Sequence, residues 1–152
     1  MTIQEAIQAR HSVRQYIDKP ITEDVVTALN AKIDEVNAEA GLHIQLILNE
    51  PKSFQCAMAK YGHFSGVNSY LVMAGKKTDD LDEKIGYYGE QIVLLAPTAV
   101  NQQKFFFEYT TGNKVIAKRS VSLVGYTQMD LGIVKYHFEV GAGKENFEWS
   151  VI

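Results

Sequence analysis

The hydrophobic period of this chain changes at Gly41. Upstream, Val26, Leu29, Ile33 and Val36 follow one another at spacings of 3, 4 and 3, the recurrence of a single helix face. Downstream, in HIQLILN (43–49), Ile44, Leu46 and Leu48 share one face of an extended segment, so this reads as a strand with one buried side. Thr22 stands where it can cap the helix. Glu23 and Asp24 stand where the helix dipole favours acids. A helix that hands over to a strand across one glycine implies helices laid on a sheet.

The rest of the chain continues in the same manner. Thr2 followed by Glu5 is a capping-box pattern, so a first helix is expected from Ile3 to about Arg10. KPIT then interrupts. The stretch from Pro51 to Lys60 reads as a short helix, and NSYLVMA (68–74) as a strand. GKKTDD is a solvated turn. Asp80 and Glu83 repeat the cap signature ahead of a helix that turns Ile85, Tyr88, Ile92 and Leu95 inward. Pro97 should end that helix. KFFFEY (104–109) and KVIAKR (114–119) form a hairpin around Gly112 and Asn113, with the aromatics in the sheet core. A last helix is expected from Gln128 to Val140, burying Met129, Ile133, Tyr136 or His137, and Val140, followed by a terminal strand in NFEWSVI. No repeat or linker divides the chain. One α+β domain over 1–152 is expected, with helices packed on a mostly antiparallel sheet.

Composition narrows the function classes. The 152 residues carry a net charge of −3, and the lysines and arginines are spread among acids. That argues against a nucleic-acid partner. The longest apolar runs, such as IVLLA (92–96), are far too short to span a bilayer. MTIQEAIQAR reads as a helix opening and not a leader, so a cytoplasmic protein is expected. The single cysteine, Cys56, allows no internal disulfide. It has no neighbouring base and is expected to be a buried structural thiol. His137 and Glu139 are two apart on a helix and point to different sides, with no second histidine at the spacing of a helical metal pair, so no metal site is expected. His43 and His63 are expected at the surface.

Two polar constellations remain. RHSVRQY gathers Arg10, His11 and Arg14 around Ser12. At a helix end, two guanidinium forks and a hydroxyl could converge on one anion. They could equally pair with Glu5 or Asp18 as exposed salt bridges. APTAVNQQKF (96–105) places Thr98, Asn101 and Gln103 just after Pro97. Amides and a hydroxyl near a helix start suit a polar heterocycle or a phosphate, and they also suit a plain capped turn.

Taken together, these stretches resemble the nitroreductase family of FMN-dependent oxidoreductases. RHSVRQY with KPI is similar to the family's opening Arg-x-Ser-x-Arg-x-aromatic motif, and APTAVNQQ to its Ala-Pro-Ser/Thr-x-x-Asn-x-Gln motif. GYYGEQIVLLA (86–96) resembles its central helix, and MDLGIVKYHFEVGAG (129–143) its Asp-x-Gly helix. The branch most similar is that of short nitroreductases with two half-units per chain. The resemblance implies an α+β sandwich with FMN at a seam between halves or subunits. It implies that Arg10, His11, Ser12 and Arg14 contact the flavin phosphate and pyrimidine side, and that Thr98, Asn101 and Gln103 reach it from the second half. GHFSG (62–66) would be a loop near the flavin. The implied reaction passes electrons from NAD(P)H through flavin to a nitro compound, quinone or similar acceptor. No side chain is implied as general acid or base.

The chain departs from that pattern in one place. GEQIVLLA runs straight into PTAVNQQ, where the resembled branch has further strands and a helix. An internal segment is therefore expected to be missing near residue 96. Lost core strands would uncover apolar surface and strand edges, so a homodimer or higher homo-oligomer is expected. The same loss leaves an alternative open: a non-catalytic relative that binds flavin weakly or serves in assembly.

Overall fold

The computed structural model describes residues 2–9, 13–17, 19–94, 105–109, 112–119 and 127–150. Among these are five α-helices: α1 (Ile3–Ala9), α2 (Glu23–Ala40), α3 (Ala57–Tyr61), α4 (Leu81–Val93) and α5 (Thr127–Ala142). The strands are β1 (Leu42–Ile47), β2 (Tyr70–Gly75), β3 (Phe105–Tyr109), β4 (Lys114–Arg119) and β5 (Glu148–Trp149). The mixed α+β class expected of the chain is observed. The described strands fall into two sheets. β1 and β2 pair antiparallel, from Leu42 opposite Gly75 to Ile47 opposite Tyr70. β3 and β4 pair antiparallel, and β5 adds to β4 in parallel.

The helix–strand joint at Gly41 follows from local chemistry. Gly41 adopts φ 65° and ψ 31°, and its N–H donates to the Asn37 carbonyl. That left-handed cap is nearly free of cost only for glycine. Asn37 then reaches across the corner. Its side-chain amide donates to the Ile44 carbonyl at 2.9 Å, and its side-chain carbonyl accepts from the Ile44 N–H at 2.7 Å. The asparagine thus supplies one strand-like pair on β1 and ties it to α2.

The main core lies between α2, the β1–β2 sheet and α4. Leu29, Ile33 and Val36 from α2 meet Leu42 and Ile44 from β1 and Ile85 and Ile92 from α4. Tyr88 and Met129 pack around this group. A second, aromatic cluster joins α5 to the other sheet: Phe107, Phe138, Phe147 and Trp149 lie with ring centroids 4.6–6.2 Å apart. It confirms the expected sheet-core role of Phe107.

α4 and α5 form the spine between the two regions. They approach closely because two glycines stand at the crossing. A Cβ on Gly86 would lie 2.0 Å from the Met129 carbonyl oxygen, and one on Gly132 would lie 2.0 Å from that of Glu83. The close approach sets which residues of α5 are buried. They are Asp130, Leu131 and Gly132, while the expected Ile133 and Val140 are only half-buried.

Several local expectations are corrected. Thr22 occupies the N-cap position of α2 but makes no capping hydrogen bond. Its hydroxyl goes to the Asp24 carboxylate, which holds that acid below its usual range. Asp80 likewise precedes α4 without capping it, and its carboxylate takes Lys84 Nζ at 2.9 Å. Leu48 is exposed, because β1 pairing stops at Ile47 and the chain turns at Asn49 with φ 55°. Cys56 is exposed, at the junction between a 3₁₀ turn (Lys52–Gln55) and α3. Leu95 and Pro97 lie outside the described residues.

Candidate flavin site

The opening motif is held by the glycine-flanked loop 62–66. Ser65 N–H donates to the Arg14 carbonyl at 2.9 Å, and Tyr16 N–H donates to the Ser65 carbonyl at 2.9 Å. Gln15 and Ser65 thus form a parallel bridge. Gly66, at φ 71°, makes the approach possible, since a Cβ there would lie 2.1 Å from the Tyr16 carbonyl oxygen. The Tyr16 hydroxyl donates to the Val13 carbonyl at 3.0 Å, and partial burial pushes its phenol upward.

The loop rests on a braced platform. Phe64 packs edge-on against Phe54 at 5.9 Å, and Phe54 tilts against Tyr70 at 5.3 Å. Below them, Glu50 accepts hydrogen bonds from the Tyr70 hydroxyl at 2.8 Å and from the Ser53 hydroxyl and N–H. The Tyr70 contact, then that from Ser53, holds the Glu50 carboxyl below its usual range. His63 follows α3 at φ 58° and is exposed, as expected.

Of the seven candidate ligands, the structure describes Arg14. Its side chain is exposed and has no ion-pair partner among the described residues. Arg10, His11, Ser12, Thr98, Asn101 and Gln103 lie outside the described residues. α1, which leads into the opening motif, packs against α5. Among the described residues Glu5 pairs with no arginine. It accepts from the Thr2 N–H at 2.7 Å, and the Thr2 hydroxyl accepts from the Glu5 N–H at 3.2 Å, closing the expected capping box.

A second polar arrangement runs along the seam between α4 and α5. Glu83, Tyr87 and Glu90 recur at the spacing of one helix face. Lys135 Nζ donates to Glu83 Oε1 at 2.5 Å, the Tyr87 hydroxyl to Glu139 Oε2 at 2.5 Å, and His137 Nε2 lies 2.8 Å from Glu90 Oε1. Trp149 Nε1–H donates to Glu139 Oε1 at 2.7 Å. Burial first, and the Glu139 carboxylate second, raise the Tyr87 phenol strongly. This seam was not anticipated. The available signal was the recurrence of polar residues at 83, 87 and 90 on a helix that also sends Ile85 and Ile92 into the core.

The family model described as "Putative TM nitroreductase" matches residues 2–96 and 93–142. The chain belongs to this nitroreductase family. The match includes the opening motif, loop 62–66, the Pro97–Gln103 stretch and both seam helices of the nitroreductase. It comes as two stretches that overlap at Val93, Leu94, Leu95 and Ala96. No curated protein and no solved structure matches the chain. Among the described residues of the nitroreductase, no helix is long and apolar enough to cross a membrane.

Proposed function

We propose that the chain is an FMN-dependent oxidoreductase that passes electrons from NAD(P)H through flavin to nitroaromatics, quinones or similar acceptors. The observation that carries this reading is the nitroreductase match, which reaches from residue 2 to residue 142 and includes both stretches of candidate ligands. Nitroreductases generally use flavin cofactors. The chemistry of the donor set fits FMN: Arg14 offers an exposed guanidinium on a backbone pinned to loop 62–66. In this reading Arg10, His11, Ser12 and Arg14 bind the flavin phosphate and the pyrimidine side. Thr98, Asn101 and Gln103 complete the site from the second half. Arginine forks and a serine hydroxyl make short, charge-assisted hydrogen bonds to phosphate oxygens. A cation beside the pyrimidine edge favours negative charge there. Hydride chemistry would come from the bound cofactor, and the chain's residues hold and orient it.

The same reading makes the chain one domain, 1–152, that has lost an internal segment near residue 96. It acts in the cytoplasm as a homodimer or higher homo-oligomer. The division of the family match at 93–96 supports the loss. Exposed hydrophobes support a partner copy: Ile17 is 79% exposed and Tyr61 85%, and Val72 is exposed on the β1–β2 sheet. An apolar side chain left in water forfeits about 1.5–3 kcal/mol, against a total stability of about 5–15 kcal/mol.

The break in the match also favours a second reading, a non-catalytic relative that binds flavin weakly or serves in assembly. Titration with FMN followed by NAD(P)H separates the two. Uptake of FMN with bleaching of the yellow colour on NAD(P)H addition supports the enzyme. Uptake without bleaching leaves the weak binder. Failure to take up FMN removes both flavin readings.

A further inference from the structure

Glu139 has both carboxylate oxygens occupied by side chains that are readily oxidised. The Tyr87 hydroxyl donates to Oε2 at 2.5 Å, and Trp149 Nε1–H donates to Oε1 at 2.7 Å. The Glu139 side chain is 10% exposed, with Lys144 Nζ at 3.7 Å. Phenol and indole rings give up one electron more easily than the aliphatic and phenyl side chains around them. Removing that electron makes the O–H proton strongly acidic. In water the proton leaves to solvent. In a protein interior it needs an acceptor already in place, because leaving charge buried is costly.

Tyr87 has such an acceptor, and it also has neighbours able to share a radical. The Tyr88 ring lies 5.0 Å away and the Tyr136 ring 5.4 Å away, both edge-on. Tyr88 donates its hydroxyl to Glu39 Oε1 at 3.3 Å, at the exposed end of the file. Tyr70 makes a useful contrast. It also donates to a carboxylate, Glu50, at 2.8 Å, but the ring beside it is Phe54. A phenyl ring does not accept the radical, and among the described residues no phenol or indole ring lies against Tyr70.

We propose that Tyr87 is a redox-active tyrosine, which gives one electron to an outer-sphere one-electron oxidant while its phenolic proton passes to Glu139. The oxidant is reduced by one electron. The Tyr87 O–H bond breaks and an O–H bond forms at Glu139 Oε2, leaving a neutral phenoxyl radical beside a neutral carboxylic acid. An electron from Tyr88 then refills Tyr87 as the proton on Glu139 returns, and the Tyr88 proton passes to Glu39. The radical ends nearest solvent, where a thiol quenches it by donating a hydrogen atom. This relay does not depend on FMN.

The test uses the full chain and photogenerated tris(bipyridine)ruthenium(III) as the oxidant. Phenoxyl formation is followed by transient absorption, and the radical is located by spin trapping and peptide mass spectrometry. Adducts are expected at residues 87, 88 and 136. Tyr87→Phe should abolish most of the fast phenoxyl signal. Glu139→Gln should slow it about tenfold or more, the effect of losing a charged hydrogen-bond acceptor on a rate. Glu50→Gln should leave it unchanged. Trapping in the unaltered chain decides the question even if Glu139→Gln unfolds the protein. Adducts confined to exposed Tyr61 or to Tyr70, with none at 87, 88 or 136, would overturn the proposal.

Discussion

His137 Nε2 lies 2.8 Å from Oε1 of Glu90, a residue only 5% exposed. Helices α4 and α5 therefore share a hydrogen-bonded acid beside the main core. Losing a hydrogen bond to a buried polar group costs about 1–3 kcal/mol. His137→Ala should destabilise the fold by about that much. His137→Gln keeps a donor and should cost less. Urea unfolding followed by the fluorescence of Trp149 measures both, and equal losses for the two variants would refute the pairing argument.

The glycine crossing makes a steric prediction. Gly132→Ala would place a methyl group 2.0 Å from the Glu83 carbonyl oxygen, and Gly86→Ala would do the same at Met129. Backbone atoms cannot swing aside as a side chain can, so the helices must separate. Overpacking of this kind costs about 1–3 kcal/mol or more. The two substitutions act on one crossing, so the double variant should lose less than the sum of the single ones. Thermal unfolding of the three variants checks this.

Asp130 carries a pH signature. It is 7% exposed, one carboxylate oxygen has no hydrogen-bond partner among the described residues, and burial raises its carboxyl above the usual range. The native state therefore holds the Asp130 proton more tightly than the unfolded chain. Below the unfolded value, about 3.9, both states are protonated and the contribution is fully present. As pH rises from there through the native value the contribution is lost, and it stays lost at neutral pH. Asp24, Glu50 and Asp80 are lowered and slope the other way. The comparison is therefore Asp130→Asn minus the unaltered chain. Asp130→Asn should gain relative stability with rising pH across that window, and a flat difference would contradict it.

The flavin reading predicts that Arg10→Ala and Arg14→Ala each weaken FMN binding by about 1.5–3 kcal/mol, the scale of a hydrogen bond to a charged group. Arg14→Ala should do so without loss of stability, since the Arg14 side chain is exposed. Calorimetric titration measures the affinity, and an unchanged value for both variants would remove the arginines from the site.

Much of the chain was legible because the deciding interactions are local. The Thr2–Glu5 capping box closes within one turn. The Leu29–Ile33–Val36 stripe and the Gly41 cap follow from helix geometry alone. β3 and β4 pair antiparallel, with Gly112 at φ 77° ahead of β4, as the hairpin pattern suggests. Two failures arose where a side chain had two partners to choose between. Thr22 prefers the Asp24 carboxylate to a helix N–H, and Asp80 prefers Lys84. Both choices lie between near neighbours in the chain.

The residue order by itself determined where helices and strands begin, which faces turn inward, and the family to which the chain belongs, because periodicity, capping and motif spacing act over a few residues. Only the tertiary structure decided that Ser65 would pair with Arg14 and Tyr16, and that Glu139 would join Tyr87 to Trp149. Those partners lie 10 to 52 residues apart in the chain. Their meeting depends on how closely whole elements pack, and at the α4–α5 crossing that closeness rests on the absence of a Cβ at Gly86 and Gly132.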